Sequence, residues 1–168
     1  MEKIIFEKSN RVKKNRKRLE EELEVKITYR GKEIIIEGPP ENEKIAIQMI
    51  EALDFGFPFT EVISMKKEEK IFTKINLKEH TLKKNFSSIR SRIIGKSGKA
   101  IKSLSDLSDC KLELKNNEIG IIGNPEDIEK IAEALIQLIQ GAKHGHVYTF
   151  LEKSKYIPLG DLGLKKKK

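Results

Sequence analysis

Two stretches of this chain, 85 residues apart, repeat one another, and no other feature constrains the fold as tightly. Ile34, Ile36, Gly38, Pro40 and Glu41 recur as Ile119, Ile121, Gly123, Pro125 and Glu126. Each copy is a β-rich run, a glycine turn, then proline and an acid. Proline followed by acids starts a helix, because proline lacks an amide that the first turn would leave unpaired and acids suit the positive helix end. The same offset pairs Ala46, Ile50 and Leu53 with Ile131, Leu135 and Leu138. Upstream it pairs Leu19 with Leu104 and Lys26-Ile27 with Lys111-Leu112. Periodic matches on both sides of the turn predict two related modules.

The second module is the fuller one. Residues 70–78 alternate through Ile71, Thr73, Ile75 and Leu77, as a strand does. Leu82, Phe86, Ile89 and Ile93 form the apolar stripe of a helix, which Gly95-Lys96-Ser97-Gly98 interrupts. Ile101, Leu104 and Leu107 resume it as a second, shorter helix. Cys110, Leu112 and Leu114 alternate on a half-buried strand, Asn116-Asn117 turns, and residues 118–123 return. Residues 126–140 form an amphipathic helix stopped by Gly141. The predicted order is β-α-(GxxG)-α-β-β-α. In the first module a strand over residues 3–6, a helix over 14–23, strands over 25–29 and 32–37 and a helix over 42–53 are expected. Only a few residues separate its first strand from its helix. At the repeat offset the two loop glycines fall on Asn10 and Lys13, and no glycine precedes Gly31.

Charge separates the modules further. Residues 1–68 carry 14 basic and 14 acidic side chains, whereas residues 69–164 carry 16 and 12, and four lysines end the chain. Two windows contain bases and no acid. One runs from Lys8 to Arg18; the other, from Lys83 to Lys102, holds Lys83, Lys84, Arg90, Arg92, Lys96, Lys99 and Lys102. Such clustering is the footprint of a polyanion partner. With 168 residues, 38% of them hydrophobic, the chain can cover a core. No apolar run approaches the roughly 20 residues that span a bilayer, and the start shows no signal-type stretch, so a soluble cytoplasmic protein is expected. A single cysteine, Cys110, excludes an internal disulfide and a multi-cysteine zinc site.

The glycine loop explains how the basic window would work. Without Cβ atoms at Gly95 and Gly98, backbone can approach a sugar-phosphate chain. A helix starting near Lys99 aims unpaired amides and partial positive charge at the loop. Lys96 and Ser97 project toward phosphates, and Arg90, Arg92, Lys99 and Lys102 add charge. Ile94, Ile101 and the strand around Leu112 supply an apolar wall for bases.

Arg92-Ile93-Ile94-Gly95-Lys96-Ser97-Gly98-Lys99 resembles the signature of a K-homology (KH) domain whose GxxG precedes helix-strand-strand-helix. The resemblance implies a clamp on about four nucleotides of single-stranded nucleic acid. It implies an α+β fold of two tandem type I KH-like modules, the first shortened and lacking GxxG. Their ranges are residues 1–64 with a connector, 65–152 with the loop, and a basic tail over 153–168. The stretch from Gly141 to Glu152, GAKHGHVYTFLE, resembles the "GAxHGxVYxFLE" ending of the Partner of Nob One family in its compact archaeal form. Phe55-Gly56-Phe57-Pro58 is similar to that family's connector. This second resemblance implies a ribosome assembly factor that holds the single-stranded 3′ region of small-subunit rRNA. The implied partners are a PIN-domain endonuclease and the alpha subunit of initiation factor two, with no membrane.

Three other readings are weighed. A protein-interaction adaptor, docking a nuclease or translation factor and binding RNA only weakly, fits the neutral first module and its aromatic connector. A self-sufficient RNA-processing enzyme lacks any nucleophile-base pattern, nucleotide loop or metal-ligand spacing, so no catalytic residue, cofactor or metal is expected. A transcription-factor KH pair places its GxxG in the opposite order of elements. His144 and His146 read as turn histidines with local hydrogen bonds. Phe55, Phe57 and Phe59 are expected to pack between the modules, and Asp106 and Asp109 to be solvated or turn-forming.

Overall fold

The structure, a computed structural model, describes residues 2–5 and 10–155. Phe6, Lys8 and the lysine tail lie outside the described residues. The chain divides into two compact units, Met1–Thr73 and Lys74–Lys168.

The first unit contains β1 (Glu2–Ile5), α1 (Asn10–Lys14), α2 (Arg16–Leu23), β2 (Lys26–Arg30), β3 (Glu33–Glu37), α3 (Pro40–Phe55) and α4 (Phe59–Lys67). Its sheet runs β1-β3-β2, antiparallel throughout, with Ile4 opposite Ile34 and Ile27 opposite Ile36. The central strand β3 buries three consecutive isoleucines, Ile34, Ile35 and Ile36. Pro40 stands in the first turn of α3 with Glu41 and Glu43 after it, so the helix starts two residues earlier than its apolar spacing predicts. Where the sequence suggests almost nothing before α2, the five-residue α1 appears, and its Val12 is fully buried. Helix α4 is also unexpected. Phe55 and Phe57 form an aromatic cluster with Phe72, which lies on the strand Ile71–Asn76. They stack with ring centroids 6.1 Å apart and meet Phe72 at 5.8 and 5.9 Å, all inside this unit.

The second sheet runs β4-β6-β5, built from β4 (Ile71–Asn76), β5 (Lys111–Lys115) and β6 (Glu118–Gly123). Its helices are α5 (Phe86–Ile94), α6 (Lys99–Ser108), α7 (Pro125–Ile139) and α8 (His144–Lys155). The architecture is α+β, and each sheet follows the order β-α-α-β-β-α. Helix α7 buries Ile128, Ile131, Ala134, Leu135, Leu138 and Ile139 along one face. The stripe of α5 is shorter than expected. Asn85 caps it by accepting from the Ser88 amide at 3.2 Å, so the helix begins at Phe86. Leu82 consequently lies outside it and is 99% exposed.

Candidate nucleic-acid interface

Helix α5 stops where Gly95 turns to φ +75°, its amide donating to the Ser91 carbonyl at 2.8 Å. A side chain at Gly95 would put its Cβ 2.4 Å from the Ala100 Cβ and 2.7 Å from the Ala100 backbone nitrogen. Only hydrogen fits, so α6 can begin directly against the end of α5. The chain then makes one tight turn over Lys96–Gly98, closed by the Gly98 amide on the Gly95 carbonyl at 3.2 Å. Ser97 (φ +55°) and Gly98 (φ +76°) both adopt the left-handed conformation. Nothing lies within 4 Å of a Cβ built on Gly98, so that side of the loop faces open space. The first turn of α6 has no side-chain cap, its Lys99 amide donates to the Lys96 carbonyl, and its electropositive end faces the turn.

The side chains named from the sequence divide into three groups. Lys96, Ser97, Lys99 and Lys102 are exposed around the turn. Lys102 also pairs with Asp106 at 3.6 Å, but both side chains are about 70% exposed or more, so water screens the pair. Ile94 is 38% exposed, and Ile101, Leu112 and Leu114 are half-buried, leaving apolar surface accessible near the turn and on β5. Arg90, Arg92 and Ile93 are turned elsewhere. Ile93 is fully buried in the core. Arg90 donates through Nη1 to Asn117 Oδ1 at 2.5 Å. Arg92 donates through Nη1 to the Leu138 carbonyl at 2.7 Å and through Nη2 to the Ala142 carbonyl at 2.5 Å. The structure therefore brings the lysines and Ser97 together at the loop and ties both arginine heads to protein acceptors.

Residues 71–156 match the model of the second KH domain of PNO1 proteins, a eukaryotic-type KH domain (KH-domain type I). The chain belongs to this PNO1-type KH family. It is 25% identical over 159 residues to the KH domain-containing protein MJ0443 of Methanocaldococcus jannaschii, covering 90% of this chain and 69% of that one. Dim2p from Pyrococcus horikoshii superposes with a TM-score of 0.81 at 25% identity, covering 90% of this chain and 98% of that one. A chain of the a/eIF2alpha-aDim2p-rRNA complex from the same organism also gives 0.81 at 25% identity, covering 92% and 93%. A protein of unknown function from Aeropyrum pernix, APE0754, shares the fold with a TM-score of 0.84 at 22% identity, covering 99% of this chain and 98% of that one.

In this KH domain the last helix contributes more than the sequence suggests. His144 is not a turn residue bonded locally. It opens α8, and its Nε2 lies 2.7 Å from the Arg92 carbonyl oxygen, 52 residues away. A carbonyl only accepts, so Nε2 carries the proton. Val147 and Leu151, four apart, are buried. That spacing was the available signal for a helix. Among the described residues no group of three or more His, Cys, Asp or Glu side chains can hold a metal ion, and no helix is long and apolar enough to cross a membrane.

Proposed function

We propose that this KH protein is a single-stranded RNA-binding ribosome assembly factor whose second unit grips a ribose-phosphate strand at Gly95–Gly98. The observation that carries the reading is a glycine turn with one side packed on Ala100 and the other open. An uncapped helix start and exposed Lys96, Ser97 and Lys99 border the open side. Amides and ammonium groups meet phosphates there, and Ile94 with half-buried Ile101 provides apolar surface for bases. Family membership and the aDim2p-rRNA neighbour support the assignment to ribosome assembly. By the same kinship the ligand is the single-stranded 3′ region of small-subunit rRNA. The alpha subunit of initiation factor two and a PIN-domain endonuclease are the proposed protein partners, and the role is holding RNA rather than cutting it.

The test is the pair Lys96→Asp with Ser97→Asp, titrated with a pool of short randomised single-stranded RNAs. Binding should be lost while the urea unfolding midpoint stays within error. Each lost phosphate contact should also flatten the salt dependence by about 0.7 in log-log slope. Unchanged affinity would refute the reading. Adaptor function in the first unit is supported by a separate observation: several of its basic heads are engaged by the unit itself. Arg11 donates to the Phe57 carbonyl at 2.8 Å and the Arg18 guanidinium lies 4.1 Å from the Phe59 ring centre.

A further inference from the structure

The loop and α8 are joined through one residue, Arg92, used at both of its ends. Its carbonyl sits in the last turn of α5, where helix carbonyls have lost their i+4 partners. His144 supplies the missing donor. Its guanidinium reaches the opposite way, to carbonyls of Leu138 and Ala142 at the end of α7 and in the link to α8. Leu138 stands in the last turn of α7, where its carbonyl also accepts the Gly141 amide at 3.0 Å, and α7 has no basic residue in that turn. One arginine thus adds donors at the C-terminal end of α7, while the first residue of α8 donates to a carbonyl in the last turn of α5. Gly95 follows three residues after Arg92, so this junction lies immediately before the glycine turn. Helix α8 is itself anchored by buried Val147 and Leu151, and the His144 ring lies 6.1 Å from that of Tyr148.

We infer that Arg92 and His144 are positioning residues that pre-organise the Gly95–Gly98 turn for RNA without touching RNA themselves. The inference rests on the reading of that turn as the RNA grip. The physical argument is entropic. A turn with three positive-φ positions, Gly95, Ser97 and Gly98, binds tightly only if its ends are held, because each rotatable residue frozen on binding subtracts from affinity. Two charge-assisted hydrogen bonds from a guanidinium and one from an imidazole provide that restraint. Lysine at position 92 would keep the charge but not the fork that reaches two carbonyls at once.

Three variants test this in the full chain: Arg92→Gln, Arg92→Lys and His144→Ala, with His144→Gln as the conservative control. In RNA-free protein, amide exchange at Gly95–Lys99 should accelerate in the first three and return toward wild type in His144→Gln, whose amide can donate to the Arg92 carbonyl. Affinity for the randomised single-stranded RNA pool should fall about 3- to 10-fold, the size expected for a lost internal hydrogen bond. The log-log salt slope should stay at the wild-type value in Arg92→Gln, because no phosphate contact is removed. A slope reduced by about 0.7, with loop exchange unchanged, would mean that Arg92 meets a phosphate directly, and the inference would be overturned. Faster loop exchange in a chain whose wild type binds no RNA would uphold the latch while removing the RNA reading. If His144→Ala does not fold, Arg92→Lys and His144→Gln still decide the matter.

Discussion

The two units are built on the same buried frame and differ at one loop. Glu24 and Asp109 end α2 and α6 in the left-handed conformation, at φ +53° and +57°. Gly31 and Asn116 turn the two hairpins at φ +62° and +55°. A Cβ on Gly38 would lie 2.8 Å from Val25 Cγ1, and one on Gly123 would lie 2.5 Å from Cys110 Sγ. All three pairs stand at the repeat offset of 85, as do the buried pairs Leu19 and Leu104, Ile34 and Ile119, and Leu53 and Leu138. At the register of the glycine turn the units part. The first has the helical residues Asn10–Lys13 there, and Val12, fully buried, takes the place of exposed Ser97. Some basic heads nearby meet groups of the same unit, although Lys13, Lys14 and Lys17 remain exposed. Arg16 pairs with Glu20 at 3.5 Å, and both Lys13 and Arg16 lie within 6 Å of the Tyr29 ring centre. Burial holds the Tyr29 phenol above its ordinary pKa; Arg16 lowers it and Glu20 raises it. The fold thus depends on the buried pairs and tolerates replacement of the loop. What the first unit lacks is the open glycine turn beside its basic residues.

That comparison can be broken most forcefully at the loop. Gly95→Val should lower stability by about 2–4 kcal/mol, because the new side chain meets the Ala100 backbone, whereas Asn10→Ala at the equivalent position should change it by no more than about 0.5 kcal/mol. Urea denaturation of both variants measures the contrast, and equal costs would remove the claim that the two registers are built differently. An intermediate effect is expected at the shared frame. Gly123→Ala should cost about 1–3 kcal/mol through overpacking on Cys110, and Cys110→Ala in the same chain should recover part of it. Additive losses in that double-mutant cycle would contradict the close approach. The smallest effect sharpens the correspondence of the hairpins. Asn116→Gly, which installs what the first unit already has at Gly31, should stabilise by up to about 1 kcal/mol, since the strained backbone is relieved while the unfolded chain gains freedom. A clear loss in thermal unfolding would show that the two turns are not equivalent.

Much of this was legible in the residues. The repeat located both closing helices because a Gly-x-Pro-Glu or Gly-Pro-Pro-Glu run is local chemistry, acting through proline's missing amide and acids at a helix start. The loop was legible for the same reason, since two glycines between apolar stripes interrupt a helical pattern. Leu82 was misplaced because its spacing extends the stripe of α5, and periodicity cannot tell that Asn85 caps the helix after it. The phenylalanines around Pro58 gave no contact partner in the sequence, because aromatic residues beside Gly and Pro carry no direction. Their partner Phe72 lies on a strand read separately. Helix α8 was missed because Gly141 and Gly145 bracket its start, and its role depends on a carbonyl 52 residues away.

The amino-acid sequence by itself determined two related α+β modules, the place of the glycine turn and the residues that can project from it. These follow from period, proline, glycine and charge, all of which act over a few residues. Only the tertiary structure decided which charges are open to a ligand and which are spent. Arg90 and Arg92 read like Lys96 and Lys99 in a list of basic residues, yet they end on Asn117 and on the end of α7. A side chain reaches the acceptors that folding brings within about 3 Å, and sequence distance does not encode that proximity.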